Sequence, residues 1–436
     1  MVRKMLNSVA FLAMVMSASQ HSSAQEHPNI LLILADDVGC ETIGAYGGER
    51  WATPNIDALA NDGMSFEYCF SMPVCHPSRI CLLTGQYPFR LKSAWGTFPR
   101  SMEFNTLSRV LQSAGYCTAV AGKWQLGLLG KDLQQPARMG FEQWCTFGWH
   151  EGARYHDPMI YENGRLREDT AGGYGPDLYV DFLAQFMEQS RDVGKPFFAF
   201  YSMALCHDVT NDLPVQVPYP PEMDRWMNYG EMVESMDQMI GRMLVHLDRL
   251  RLRDNTIVVF TADNGTSVRS KLRHKPDGGY EMEQVFSIRH GQRVDGGKGT
   301  LLNTGTNVPL IVRWPGTVKP GTTSAALVDF SDFLPTFSGV SGASVGWKHD
   351  GISFLPSLRD PSISSRTAAF CEDAKGPAWV RTQTHKLYSD GRFLDVHDDV
   401  TERSPLRSIP VSAVQTHQLL SEFLASLNYR PANEQR

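Results

Sequence analysis

Two short apolar runs, each closed by a pair of hard oxygen donors, constrain this chain more than any other feature. Asn29–Ala35 reads NILLILA and stops at Asp36-Asp37; residues 257–261 read IVVFT and lead to Asp263-Asn264. A strand apolar at every position has both faces covered, as in a parallel sheet inside an α/β sandwich. Carboxylates at the carboxyl ends of such strands lie where open α/β sheets bind ligands. Residues 196–202 (PFFAFYS), leading to His207, and 308–313 (VPLIVR), ending before Trp314-Pro315-Gly316, repeat the pattern. Between the runs, residues 53–63 open on Thr-Pro and stop at Gly, both helix signals, and 107–115 and 231–250 carry apolar residues at helical spacing. Strands alternating with helices predict a large mixed, mostly parallel sheet sandwiched by helices. Past about residue 351 the texture changes to short strands, at 380–387 and 393–396, and a closing helix at 411–427. We therefore expect a main domain over 25–350 and a small C-terminal antiparallel-sheet subdomain over 351–436.

The first residues follow a different logic. Arg3 and Lys4 precede an apolar stretch at 9–18, and Ser22-Ser23-Ala24 precede Gln25. This reads as a signal peptide over residues 1–24, and so as a protein exported to the periplasm or beyond the cell. A membrane anchor is the other reading, but the run is short for a bilayer, and no other stretch is apolar enough to span one stably. The oxidising compartment permits disulfides among the eight cysteines at 40, 69, 75, 81, 117, 145, 206 and 371; the absence of a CxxC pair argues against a zinc site. A net charge of −6 excludes nucleic-acid binding by charge alone, so any anion site must be built locally.

The chemistry gathers around Cys75-His76-Pro77-Ser78-Arg79, followed by Leu83-Thr84-Gly85. A lone cysteine beside a proline turn is usually a buried structural residue. The full pattern CxPSRxxxLTG, with TPNIDALA upstream, resembles the signature of the type I sulfatases, members of the alkaline-phosphatase-like superfamily. That resemblance runs from about Pro28 to Pro315, with echoes at Asp350-Gly351-Ile352-Ser353 and Trp379-Val380-Arg381-Thr382. It implies that a maturation enzyme oxidises Cys75 to formylglycine. The hydrated aldehyde offers one hydroxyl to attack sulfur and a second to expel sulfate, splitting one difficult step into two. A divalent cation lowers the pKa of the attacking hydroxyl.

Asp36, Asp37, Asp263 and Asn264 suit calcium, or magnesium, rather than zinc. Either pair alone reads equally well as a turn or helix cap; the resemblance makes all four metal ligands, with the modified Cys75 as a further one. It also gives roles to Arg79, one helical turn after Cys75, to Lys123 in Gly-Lys-Trp, to Lys298 in Gly-Gly-Lys-Gly, and to His207, which would contact the leaving oxygen. Fixed cations aimed at an ester sulfate lower the barrier as charge develops on its oxygens.

The chain departs from the family pattern twice. Gln125 stands where GKWHxG carries a histidine, and 303–309 (NTGTNVP) replaces EGGxRVP, losing an arginine. Glutamine can orient a hydroxyl but not take its proton, which leaves His150, His207 or water for that step. The segment from Arg269 to Lys298 holds seven Lys or Arg against four acidic residues, with His274 and His290. It is either a solvated loop or a rim for a polyanion. With Trp144, Trp149, His150 and Tyr155 as a second aromatic stretch, the expected substrate is a sulfated polysaccharide or oligosaccharide, touched by His150, Arg269 and His290. Two rivals stand: a formylglycine-dependent phosphonate or phosphate monoester hydrolase on the same scaffold, and a non-catalytic glycan-binding relative.

Overall fold

The computed structural model describes residues 27–430, apart from 94, 149–150, 209–227, 276–279 and 374–375. The signal-peptide reading, Trp149 and His150 therefore lie outside the described residues. In chain order the strands are β1 (Asn29–Ala35), β2 (Met64–Phe70), β3 (Cys117–Lys123), β4 (Gln143–Phe147), β5 (Tyr161–Glu162), β6 (Arg165–Leu166), β7 (Phe197–Ser202), β8 (Thr256–Ala262), β9 (Arg269–His274), β10 (Tyr280–Gln284), β11 (Phe286–Arg289), β12 (Gln292–Asp295), β13 (Leu310–Arg313), β14 (Thr322–Asp329), β15 (Ala369–Glu372), β16 (Ala378–Arg381), β17 (His385–Tyr388) and β18 (Phe393–Asp395). Ten of them form one sheet in the order β14-β2-β13-β8-β1-β7-β3-β4-β5-β6. Its centre, β8-β1-β7-β3-β4, is parallel throughout, while β13 runs antiparallel between β8 and β2.

The uninterrupted apolar pattern of β1 has the predicted cause: Ile30 through Leu34 are fully buried, between β7 and β8 edgewise and between helices above and below. Each such side chain contributes about 1.5–3 kcal/mol through burial. One helical layer holds Pro54–Asn61, Gly175–Asp192 and Tyr229–Arg249; the other holds Cys75–Thr84, Leu107–Ser113 and Phe333–Ser341. The long helix starts on a capping box, with Glu231 N–H donating to Asn228 Oδ1 at 3.0 Å and Asn228 N–H to Glu231 Oε2 at 3.1 Å.

Three local expectations change. Thr53 does not cap its helix; the Asp237 carboxylate, from the long helix, accepts from Ile56 N–H at 2.9 Å and Asn55 N–H at 3.1 Å instead. The stretch after residue 268, which showed no period, folds as two hairpins, β9-β10 and β11-β12, outside the main sheet. The strand expected at 380–387 is two strands, β16 and β17, with Thr382 N–H closing the turn onto His385 O at 2.9 Å. The small C-terminal sheet, β15-β16-β17-β18, is antiparallel. It joins the main core through contacts such as Trp379 edge-on to Phe70, with ring centroids 5.2 Å apart. All eight cysteines are unpaired thiols, and no helix among the described residues is long and apolar enough to cross a membrane.

Candidate active site

Strand register builds the site. Ala35 of β1 lies opposite Ala262 of β8, so the next residues, Asp36-Asp37 and Asp263-Asn264, emerge side by side. On the other side of β1, β7 ends at Ser202 and β3 at Lys123, with Leu34, Ser202 and Gly122 in register. Four adjacent parallel strands thus deliver their last residues to one edge. Gly122, at φ +99°, permits this closeness: a Cβ there would sit 2.0 Å from Ser202 O. Among the oxygen donors, Asn264 Nδ2 donates to Asp37 Oδ1 at 2.7 Å, and Asp37 N–H to Asp263 Oδ1 at 3.3 Å.

The Cys75 motif enters from one helical layer. Cys75 is the first residue of a helix buried along its whole length. Pro77 lies in the first turn, where no backbone donor is needed. Ser78 Oγ accepts from Met72 N–H at 3.0 Å and ties the preceding chain to that turn. Gly85, at φ +66°, ends the helix. Arg79, one turn after Cys75, donates through Nε and Nη2 to Asp263 Oδ2 at 2.9 and 2.6 Å and through Nη1 to Ser202 Oγ. Lys123 pairs with Asp36, and Lys298 Nζ lies 2.7 Å from Asp37 Oδ2.

Candidate ligand atoms of Asp36, Cys75 and Asp263 all lie within 4.8 Å of one another. Asp36 Oδ1 and Asn264 Oδ1 are buried with no hydrogen-bond partner among the described residues. Buried oxygens are rarely left so, and these donors fit a hard divalent cation. Burial alone would raise Asp36, but Lys123, His207, Arg79 and Lys298 outweigh it and hold its carboxyl well below the usual range. Burial and then the charge of Asp36 push Asp263 up to about 6 despite Arg79. Burial also raises the Cys75 thiol against the pull of Lys123 and Lys298. An unmodified thiol here is therefore neutral at pH 7 and a poor nucleophile.

The remaining sequence candidates divide. His207 is buried in the turn after β7, with Nδ1 3.2 Å from Asp208 Oδ1. The Tyr155 hydroxyl, 2.7 and 2.6 Å from Ala204 O and His207 O, pins that turn; Tyr155 is therefore a core residue rather than an exposed sugar platform. Gln125 is wholly buried, and neither amide atom has a partner among the described residues. Arg269 is exposed at the start of β9. His290 is exposed at the β11-β12 turn, beside Gly47, and neither joins the cluster around Cys75. Sequence reasoning missed Ser202, although it closes the PFFAFYS run just as Asp36 follows NILLILA. It also missed Tyr229, whose hydroxyl donates to Asp37 O at 2.9 Å and for which the sequence carries no signal.

Such a centre suits an enzyme that draws a tetrahedral oxyanion ester onto a nucleophile. A family model described as Sulfatase matches residues 28–343. N-acetylgalactosamine-6-sulfatase of Homo sapiens is 30% identical over 381 residues, covering 79% of this chain and 68% of that protein. N-acetylglucosamine-6-O-sulfatase of Bacteroides thetaiotaomicron is 25% identical over 504 residues, covering 90% and 84%. The solved structure of BT4656 in complex with its substrate D-glucosamine-2-N,6-O-disulfate superposes with a TM-score of 0.71 at 23% identity, covering 92% of this chain and 97% of that one. The phosphonate monoester hydrolase of Agrobacterium radiobacter shares the fold at a TM-score of 0.62 and 20% identity, covering 92% and 95%. The chain belongs to the sulfatase family. It is a sulfuric ester hydrolase.

Proposed function

We propose that this sulfatase is exported and removes sulfate from a sulfated saccharide, using a formylglycine made from Cys75 and a calcium ion. The observation that carries the reading is the meeting of Cys75 with Asp36 and Asp263 within 4.8 Å, under the charges of Arg79, Lys123 and Lys298. Relatives named for N-acetylgalactosamine-6-sulfate and N-acetylglucosamine-6-sulfate support the substrate class.

Asp36, Asp37, Asp263 and Asn264 would hold the cation, with the side chain at position 75 beside it; magnesium is the alternative. The cation supplies positive charge that favours an ionised hydroxyl at neutral pH. Formylglycine supplies, as its hydrate, a carbon bearing two hydroxyls, one to accept the sulfuryl group and one to release it. The chain's own residues do the rest. Lys123 and Lys298 present ammonium groups to the sulfate oxygens, while Arg79 fixes Asp263 and the end of β7. His207 gives a proton to the departing sugar oxygen, general-acid work that an alkoxide leaving group needs. Gln125 brings an amide, able to donate and to accept, into a place where no described residue competes for it. It orients the hydroxyl, and the proton for the release step goes to His207 or water.

The maturation enzyme that would modify Cys75 acts before the motif is buried, since Cys75 is 2% exposed in the folded chain. Two measurements test the reading. The mass of the peptide spanning Cys75, from protein made in a competent host, should show thiol-to-aldehyde conversion. Desulfation should then appear on N-acetylhexosamine 6-sulfates or their oligosaccharides. An intact thiol in fully active protein sinks the formylglycine. Activity confined to phosphonate monoesters sinks the saccharide, and full function in Cys75→Ser supports the binding-module rival.

A further inference from the structure

The segment that carries Lys298 has no regular structure of its own, yet its lysine must meet Asp37 within hydrogen-bond distance. One flank is held by the catalytic domain: Lys298 N–H donates to Thr266 O at 3.0 Å and Gly299 N–H to Pro73 O at 2.8 Å. The other flank is held by the C-terminal sheet. The carbonyl of Leu301 accepts from the Trp379 indole N–H at 3.0 Å and from the Lys386 ammonium at 3.1 Å, with the Tyr388 hydroxyl at 3.4 Å. Two residues on, Asn303 N–H donates to Glu402 Oε1 at 3.1 Å, and Arg381 donates to Asn303 Oδ1.

Lys386 and Glu402 are themselves an ion pair at 2.6 Å, with side chains 0% and 1% exposed. Each end of the pair grips the same loop, Lys386 at 301 and Glu402 at 303. A fully buried ion pair is a weak source of stability against an apolar replacement. A pair whose two ends both strap one loop is suited to fixing that loop's place. The loop in question begins with Lys298, and the N–H of its Gly299 is bonded to Pro73 O, two residues before Cys75.

We propose that Trp379, Lys386, Glu402 and Arg381 are positioning residues for Lys298: they anchor Leu301 and Asn303 and so set where the Lys298 ammonium meets Asp37 and the substrate's sulfate. The C-terminal sheet thereby belongs to the catalytic apparatus without touching substrate. The inference rests on the reading that Lys298 acts on the sulfate, and its test separates the two.

The test is a double-mutant cycle in the mature, full-length enzyme, with 4-nitrophenyl sulfate as probe. Lys386→Met and the milder Trp379→Phe are each made alone and with Lys298→Ala. Alone, Lys386→Met should lower kcat by roughly ten- to a hundredfold with KM little changed, as a displaced catalytic group does. In the Lys298→Ala background it should change kcat by no more than about twofold. Lys386→Arg, which keeps a cationic donor, should recover most of the activity. Hydrogen exchange read by mass spectrometry needs no turnover: both single variants should speed exchange at Lys298 and Gly299 and leave β1 protected. Equal losses in both backgrounds, or unchanged exchange at 298–299, overturn the positioning role. A Lys298→Ala enzyme of undiminished kcat overturns instead the reading of Lys298 itself, and the inference with it.

Discussion

Arg79 sets two of its nitrogens, Nε and Nη2, against the same carboxylate oxygen of Asp263, at 2.9 and 2.6 Å. The contact joins the helix that begins at Cys75 to the strand end that offers Asp263 and Asn264. The same guanidinium reaches Ser202 at the end of β7 and lies 4.0 Å from Asp36. One side chain thus fixes the helix that begins at Cys75 relative to three strand ends.

Arg79→Lys should break that arrangement while keeping the charge. An ammonium is a point donor and cannot bridge Asp263 and Ser202 in one plane. We expect kcat to fall about 10²- to 10³-fold, the scale for losing one preorganised electrostatic contact, with a smaller change in KM. Arg79→Ala should in addition destabilise the cation-free fold by about 3–5 kcal/mol, because two buried carboxylates lose a partner. Steady-state kinetics and thermal unfolding in a chelator check both. Kinetics of Arg79→Lys within twofold of the parent would remove Arg79 from the machinery.

A second prediction concerns pH and lies away from the chemistry. Glu372, in β15, is 4% exposed and accepts Phe89 N–H at 2.7 Å. Burial raises its carboxyl to about 8. A raised acid is held protonated by the folded chain while the unfolded chain has already released its proton. Stability from this group is therefore complete below the ordinary carboxylate range and is lost as pH climbs to about 8. The loss amounts to about 3–5 kcal/mol at most. Unfolding temperatures recorded from pH 5 to pH 9 should decline across that window in the parent and decline less in Glu372→Gln. Parallel slopes would show that Glu372 is not the source.

Much of this architecture was legible because burial leaves a one-letter trace. NILLILA and IVVFT have no polar face, so they were expected to be central; the oxygen donors after them were expected to meet only from the family resemblance, and the register of β1 with β8 brings them side by side. Of the Cys75 helix, only the turn from Cys75 to Arg79 was foreseen; its continuation to Thr84 and its stop at Gly85 came from the structure. The two hairpins after residue 268 left no trace: they sit outside the main sheet, so most positions tolerate polar residues and the period of two vanishes. The cap on Ile56 was also hidden, because Asp237, far along the chain, supplies it. Tertiary partners of this kind explain why Tyr229 and the Leu301 anchors were not foreseen.

Gln125 offers a test of function against stability. Both amide atoms are buried without a partner among the described residues, and each unsatisfied buried group costs about 1–3 kcal/mol. Gln125→Met keeps the shape and removes that cost. The substrate-free protein should unfold at the same temperature or higher, while kcat falls at least about tenfold if the amide orients the nucleophile as proposed. Gln125→His should retain turnover and bring a new limb to the pH–rate profile, because the imidazole can take a proton where the amide cannot. A Met variant that loses stability and keeps its kcat would mark Gln125 as a packing residue.

Leaving-group basicity tells whether His207 acts as the proposed proton donor. His207 is buried in the turn that follows β7, its carbonyl held by Tyr155 and its ring by Asp208. If His207 protonates the leaving oxygen, its removal should matter in proportion to the basicity of that oxygen. A sugar alkoxide is strongly basic and needs the proton; a 4-nitrophenolate leaves without it. His207→Ala should therefore lower kcat on N-acetylglucosamine 6-sulfate by about 10²- to 10⁴-fold, the range for general-acid catalysis, and on 4-nitrophenyl sulfate by far less. Rates for a series of aryl sulfates with increasingly basic leaving groups should fall more steeply in the variant than in the parent. Equal losses across the series would mean that His207 holds the sulfate or the fold, and that the departing oxygen takes its proton from another group or from water.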